Sequence, residues 1–470
     1  MSYLPTFESV KTHPMPGWYE DAKLGIFIHW GLYSLPAFAP RGEGYAEKML
    51  AGEIGFANTP YAEWYQNSLR IPGSPAQRYH NEKYGASFGY EQFALLFNQA
   101  LAAWKADEMA ELFARAGARY VVLVSKHHDG FLMWNSRHPC PKRPAYQTKR
   151  DVAGELTQAV SQRGMKMGFY YSSLLDWTFT RKPITNTAEL VAASDIRSTY
   201  RAYISGHWRE LIERYNPWIL WSDIGYPPGK DLPGLFAHFY NQQPEGVIND
   251  RWLQVPAYFF NPLGRAVLKQ ILKKMDTNRF PPVPHCDFLT AEYTGFDGIQ
   301  HKKWEACRGI GNSFGYNQFE GEIDYMKPEE AIRLLADVVS KNGNLLLNVG
   351  PRPDGSLHPC QVSVLEGLGA WLQMNGEAIY GTRPWIQHKD VGVGEAEVRY
   401  TSKNEALYAI VTRMPENRTL SLPVDVRSNI SLLETAQILH AEADGERVRI
   451  RLPELLASES IPVVKILPKG

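Results

Sequence analysis

Four times along the chain, apolar residues at helical spacing run to a glycine or asparagine and give way to a short stretch that is apolar on both faces. The first places Met109, Leu112, Phe113 and Ala116 on one helix face, stops at Gly117 and continues as "RYVVLVSKHHDG". The second starts at Asp151 as N-cap, carries Leu156, Ala159 and Val160 inward, stops at Gly164 and gives "MKMGFYYS". The third ends at Asn216-Pro217 and yields "WILWSDIGYP". In the fourth, Pro328 opens a helix, Ile332, Leu335 and Val339 line it, Asn342-Gly343 ends it and "NLLLNVG" follows.

Stretches apolar on both faces and alternating with helices predict a parallel sheet buried under helices. Across residues 1–380 the economical form is an α/β fold with a (β/α)8-like barrel of the TIM type. A doubly wound open sheet is the alternative, but no phosphate-binding glycine motif follows any strand to favour it. Beyond Tyr380 the period changes. "EVRYTS", "ALYAIVTR", "RTLSLPV" and "ERVRIRLP" read as strands parted by turns such as Asp444-Gly445, so residues 381–470 are predicted to form an antiparallel β-sandwich. This second domain is poor in polar clusters, which suits packing, a loop lent to the site or a homo-oligomer interface.

Composition narrows the partners. Lysine plus arginine and aspartate plus glutamate each number 50, which gives no electrostatic case for nucleic acid or an anionic membrane. A small or neutral ligand is the remaining expectation, and 13 Trp and 25 Tyr suit stacking on one. Cys140, Cys286, Cys307 and Cys360 lie far apart and form neither a zinc nor a redox motif. The opening "MSYLPTFESVKTHPMPGW" lacks a basic segment followed by an apolar one, and no apolar run approaches the roughly 20 residues of a membrane span. The expectation is a soluble, cytoplasmic protein.

In a barrel of this kind the chemistry sits just past the C-terminal ends of the strands. Those positions hold His29 and Trp30, His127, His128 and Asp129, Tyr170 and Tyr171, Asp223, and Asp250 with Arg251. Any one of them alone is more often structural, but five successive strand ends of this polarity point to a site. Asp223 runs into Ile-Gly-Tyr-Pro rather than a helical pattern, which argues against a cap and for a nucleophile on a rigid strand. Three chemistries compete. A metal hydrolase would use His29, His127, His128 and Asp223, but neighbours on one strand face opposite ways unless the strand has already ended, and no HxH or HExxH spacing is present. A sugar-binding protein needs aromatics and polar groups without a second acid. A glycosidase needs two carboxylates, and Glu63, Glu292 and Glu305 are the candidates for the second, each in aromatic surroundings that raise a carboxyl pKa.

The pieces "WYEDAKLGIFIHWGLYSLPA", "NTPYAEWYQNSLRI", "SKHHDGFLMWNS", "GFYYSSLLDW", "LWSDIGYP", "EGVINDRW", "DFLTAEY", "KWEACRGIGNSFGYN" and "VVSKNGNLLLNVGPRPDG" occur in this order from about Trp18 to Tyr380. Together they resemble the α-L-fucosidases of glycoside hydrolase family 29. The resemblance implies a retaining exo-fucosidase with a barrel and a sandwich, acting on fucosylated oligosaccharides or glycosides and needing neither metal nor other cofactor. It places the nucleophile on Asp223 and the acid/base on Glu292 of "TAEY", with Glu63 as second choice. Hydroxyl-binding groups fall on His29, Glu63, Trp64, His127, His128, Tyr170 and Arg251, and the pocket for the C6 methyl on Phe27, Trp221 and Phe314. "TAEY" leans toward the branch of broad specificity for small aglycones. One departure is the long stretch at 254–285, helical in character from Ala266 to Lys274, which stands where it could line or shield a leaving-group site.

Overall fold

A computed structural model of the chain describes residues 2–42, 55–261 and 282–468, except 181, 187–188, 191–192, 294 and 392–395, and in addition residues 48, 263, 264 and 267. Eight parallel strands form one curled sheet: β1 (Leu24–Ile28), β2 (Tyr120–Lys126), β3 (Lys166–Ser172), β4 (Ile219–Asp223), β5 (Val247–Ile248), β6 (Leu289–Glu292), β7 (Trp304–Gly309) and β8 (Gly343–Val349). Their order is β5-β4-β3-β2-β1-β8-β7-β6, so β5 and β6 are its two edges. No ladder pairs these edges among the described residues. Isolated contacts close the gap instead: Asp287 N–H donates to the Ile248 carbonyl at 2.9 Å, and the Asp287 carboxylate accepts from Ile248 N–H at 2.7 Å. Higher up, Asp250 Oδ1 accepts from the Thr290 hydroxyl at 2.7 Å and its N–H at 3.1 Å.

The expected helices are present. They are α1 (Ala106–Arg115), α2 (Val152–Gln162), α3 (Ser198–Tyr215) and α5 (Pro328–Ser340), and α4 (Leu232–Gln242) and α6 (Pro359–Asn375), not read from the sequence, pack with them outside the sheet. Their stops follow the chemistry read from the sequence: Gly117, Gly164, Asn216 and Asn342 all have positive φ, and Asp151 caps α2 by accepting from Gly154 N–H at 3.1 Å. Outward strand residues such as Ile26, Val121, Leu123, Phe169 and Leu220 join Met109, Phe113, Leu156, Leu335 and Val339 of the helices in one large core. Each fully buried side chain of this size contributes about 1.5–3 kcal/mol. Inward residues make a separate core inside the barrel: Phe27, Tyr120, Val122, Val124, Tyr170, Ile219, Trp221, Phe288 and Leu346. Gly25 is required here, because a Cβ would sit 2.3 Å from the Tyr120 ring that crosses over it.

The remaining strands are β9 (Arg383–Val391), β10 (Glu397–Lys403), β11 (Ala406–Arg413), β12 (Thr419–Leu422), β13 (Asn429–Leu432), β14 (Ala441–Asp444), β15 (Arg447–Arg451) and β16 (Val463–Leu467). They form an antiparallel five-stranded sheet, β13-β16-β11-β10-β9, and a three-stranded one, β12-β15-β14. Val398, Leu407, Ala409, Leu420, Ile430, Ile450 and Val464 fill the space between them as a sandwich core. The other face of the larger sheet carries Tyr408, Ile410 and Val463 into the core around the barrel. Polar contacts follow the same seam, with Trp371 N–H on the Ile461 carbonyl at 2.8 Å and Arg399 on Asp337 at 2.8 Å.

The helix expected from Ala266 to Lys274 lies outside the described residues, apart from Val267. No helix of the described residues is long and apolar enough to cross a membrane.

Candidate active site

Strand parity decides which strand-end residues enter the cup. On β1, Phe27 faces inward between Ile26 and Ile28, so His29 turns into the cup and Trp30 into the outer core. There Trp30 packs on Phe97 and Trp104 and donates to the Arg352 carbonyl at 2.8 Å. On β3, Tyr170 faces in, while Tyr171 faces the helices and bonds His207 at 2.7 Å. On β4, Trp221 is inward, and Asp223, two residues on, reaches the cup at 8 % exposure. β2 has already ended at Lys126 when the two histidines arrive, and both rings sit together with centroids 3.9 Å apart. Opposite facing, expected from strand geometry, therefore does not apply to His127 and His128. Asp129 turns away and accepts from the Tyr90 hydroxyl at 2.9 Å.

One cation ties the cup together. Arg251 donates through Nη1 to Asp223 Oδ1 at 3.1 Å, through Nη2 to Glu292 Oε2 at 2.9 Å and through Nε to the Thr290 hydroxyl at 2.9 Å. The hydroxyl is itself held by Asp250, so the strand-end Asp250 orients Arg251 and does not face the cup as a reactive group. Tyr170 donates to the other Asp223 oxygen at 2.8 Å. Burial alone would push the Asp223 carboxyl up, but the Arg251 charge and the hydrogen bonds outweigh it and hold the group below the usual aspartate range.

The histidines are held as neutral acceptors. Asn348 gives its amide N–H to the Phe314 carbonyl at 2.8 Å, which turns its oxygen toward His29 Nδ1 at 2.6 Å. His29 therefore carries its proton on Nδ1 and keeps Nε2 as a lone pair. Ser172 gives its proton to the Leu175 carbonyl at 2.7 Å and accepts from His128 Nδ1 at 2.6 Å, which leaves His128 Nε2 bare, 4.0 Å from Asp223. Burial lowers His29 to about 4 and His128 to about 3. His127 is buried, pushed well below its usual range by the same cause, and its Nδ1 has no partner.

The three candidate second carboxylates part company. Glu292 closes β6, pairs with Arg251, and its side chain is 27 % exposed toward the opening. Glu63, on the 3-10 turn Ala62–Trp64, is 2 % exposed, accepts from Gly315 N–H at 2.8 Å and is pushed up to about 7 by burial. Glu305 lies on β7 with 0 % exposure, inside the barrel beneath the cup, where Tyr19, Tyr120 and Trp221 all donate to it. It does not meet Asp223 as the second acid.

Aromatic rings line the remaining wall. Phe314 stacks on His29 at 4.9 Å, Phe27 meets Trp221 at 5.2 Å, and Trp64 stands edge-on to His128 at 5.3 Å. Asn348, Ser172, Thr290 and Gly315, which support the cup, were not singled out from the sequence; continuing the inward parity of Leu346 along β8 would have reached Asn348. Both Asp223 and Glu292 are followed by a non-glycine residue with positive φ, Ile224 at 60° and Tyr293 at 53°. Such strain is typical of places where a side chain must be aimed. Among the described residues no group of three or more His, Cys, Asp or Glu converges as a metal site.

With this geometry in view, the similarity to known proteins is specific. A family model described as Alpha-L-fucosidase matches residues 1–377. An alpha-L-fucosidase of Dictyostelium discoideum is 32 % identical over 450 residues, 91 % of this chain and 84 % of that protein. A crystal structure of the Thermotoga maritima alpha-fucosidase with a mechanism-based inhibitor superimposes with a TM-score of 0.85 at 38 % identity, covering 99 % of this chain and 100 % of the other. Another structure of the Thermotoga maritima alpha-fucosidase, in complex with fucose, gives 0.84 at 37 % identity with the same coverage. A barrel whose strand ends converge on Asp223, Arg251 and Glu292, matched over its whole length by these proteins, belongs to the α-L-fucosidase family.

Proposed function

We propose that the protein is a retaining, exo-acting α-L-fucosidase that releases terminal L-fucose from fucosylated oligosaccharides or glycosides. The observation that carries this reading is the single guanidinium of Arg251 bonded to both Asp223 and Glu292, which sets two carboxylates side by side at the mouth of a buried cup. Asp223, kept ionised by Arg251 and Tyr170, attacks the anomeric carbon. Glu292, the more exposed of the two, protonates the departing glycosidic oxygen. Water then enters, Glu292 takes its proton, and the fucosyl–Asp223 ester is cleaved with net retention. The bare Nε2 atoms of His29 and His128 accept hydrogen bonds from sugar hydroxyls, with His127, Glu63 and Trp64 as further polar partners. Phe27, Trp221 and Phe314 offer an apolar patch that fits a 6-deoxy sugar, whose C6 is a methyl.

A second assignment of the acid has its own support. Glu63 is pushed up to about 7, which suits a proton donor near neutrality. Its burial beneath the turn at Gly315 favours a hydroxyl-binding role instead. In this reading residues 1–380 are the catalytic domain and 381–470 a supporting sandwich. The balanced charge and four unpaired thiols support a cytoplasmic enzyme with a small neutral substrate and no nucleic-acid or membrane partner.

The deciding measurement is hydrolysis of an aryl α-L-fucoside by wild type and Asp223→Gly, with azide added to the variant. The expected outcome is loss of about a thousandfold or more, with azide yielding the β-fucosyl azide by a single inversion. Near-normal turnover by Asp223→Gly would remove Asp223 as nucleophile. Glu292→Ala is expected to spare activated aryl fucosides most and to be rescued by azide with retention; that signature in Glu63→Ala would move the acid/base there.

A further inference from the structure

Among the buried carboxyls that the mechanism leaves without a task, Glu305 lies closest beneath the reacting groups, one hydrogen bond from Trp221. Glu305 sits in the floor of the barrel at 0 % exposure, directly under the catalytic cup. Its Oε2 accepts from the Tyr120 hydroxyl at 2.6 Å and the Tyr19 hydroxyl at 2.9 Å, and its Oε1 accepts from the Trp221 indole N–H at 2.9 Å. These three neighbours donate, and the Cys307 thiol adds a weaker contact to Oε1 at 4.0 Å, as an acceptor-only carboxylate requires. A carboxyl at this depth costs several kcal/mol of lost hydration unless fully bonded, so satisfying two tyrosines and an indole is an expensive way to fill a core.

What the arrangement accomplishes is above it. The indole ring of Trp221 lies between the floor and the reacting groups: it stacks on Tyr170 at 5.5 Å with planes 26° apart, and the Arg251 guanidinium rides over it at 4.7 Å. Those are the two residues that hydrogen-bond Asp223, one to each oxygen. An indole has one N–H, and an acceptor fixed on a rigid strand selects a single orientation of the ring. A ring free to turn would no longer define where its two neighbours rest.

We propose that Glu305 is a positioning residue for the nucleophile, acting through Trp221, which it locks in the orientation that seats Tyr170 and Arg251 on Asp223. The proposal rests on the assignment of Asp223 above. Glu305 touches no substrate; its contribution is the alignment of the groups that keep Asp223 ionised and aimed, and misalignment on the ångström scale is enough to cost a hundredfold or so in rate.

The test is a double-mutant cycle on the full chain with an aryl α-L-fucoside, using Glu305→Leu, Trp221→Phe and the pair. Glu305→Leu, with near-UV dichroism of a folded protein, is expected to lose between about tenfold and a hundredfold in kcat/KM. The acid limb of its kcat/KM profile moves to higher pH, because Asp223 loses part of its stabilisation by Arg251. In the Trp221→Phe background, which has no indole N–H to orient, adding Glu305→Leu changes kcat/KM by less than about threefold while still lowering the melting temperature. A purely structural Glu305 would move the melting temperature in both backgrounds and leave the acid limb in place. If Glu305→Leu does not fold, Glu305→Met, unbranched and closer in length, takes its place under the same criteria. An active wild type with unchanged kcat/KM in the folded variant, or losses that multiply across the cycle, overturns this proposal alone. A wild type that does not cleave the fucoside overturns the fucosidase reading and this proposal with it.

Discussion

Asp223 owes its readiness to Arg251 more than to its own surroundings, because burial by itself works against the ionised form. The sign of a pH experiment follows. A nearby cation lowers a carboxyl pKa, so replacing Arg251 with an apolar side chain of similar length raises that of Asp223. Arg251→Met is expected to move the acid limb of kcat/KM toward neutral pH and to lower its plateau about a hundredfold or more. A limb that stays in place, read from kcat/KM between pH 3 and 8, would show that Arg251 binds sugar without tuning the nucleophile. The histidines are expected to contribute no limb of their own near neutrality, since burial keeps His29 at about 4 and His128 at about 3. At this scale the sequence was most informative about chemical type and least about partnership. Asp223 could be singled out from an apolar run that ends in an acid. That one arginine, 28 residues on, would grip both it and Glu292 depends on how β4, β5 and β6 sit side by side, which no local pattern encodes.

The turn after β4 shows how an element aims a side chain. Gly225 has φ of +99°, and a Cβ there would lie 2.5 Å from the Leu253 carbonyl oxygen. Its N–H donates to the Arg251 carbonyl at 3.1 Å, so the turn behind Asp223 is tied to the backbone of the residue paired with it. Gly225→Ala is expected to cost about 1–3 kcal/mol of stability, seen in the urea midpoint, and to lower kcat/KM as well because the strain falls on Arg251. Unchanged kcat/KM at reduced stability would separate the two. Most elements were legible because local signals agreed: Gly117, Asp151, Gly164, Asn216 and Asn342 mark the helix ends at which the structure places them. Period-two reading within the strands, pursued one step further, separates His29 from Trp30 and Tyr170 from Tyr171. Lone strand-end identity does not, and it grouped Trp30, Tyr171 and Asp129 with residues that face the cup. Glu305 stood unranked beside Glu63 and Glu292 for a related reason: an acid among aromatics looks alike whether it lies on the cup or under it.

Across the whole molecule, the sandwich strands share the core that surrounds the barrel. Tyr408, Ile410, Ile461 and Val463 pack in the same apolar cluster as Val338, Leu368 and Leu372. Arg333 donates to the Thr412 carbonyl at 2.9 Å, and Lys465 pairs with Glu377 at 2.6 Å. A fragment ending at residue 380 would expose this face, and it is expected to aggregate or remain unfolded; a soluble, active fragment in size-exclusion chromatography and assay would contradict that. The barrel wall itself is stitched where β5 meets β6, and the stitches include the working residues. Asp287 joins the two edges low down, Asp250 joins them higher, and Arg251 joins them at the top by gripping Thr290 and Glu292. The proposed catalytic centre thus doubles as a fastener for the fold. On gentle heating, turnover should fade before the global melt, as the seam loosens first. A sugar bridging Arg251 and Glu292 should slow amide exchange at Asp287 and Thr290, so that the enzyme is most tightly shut while it is at work.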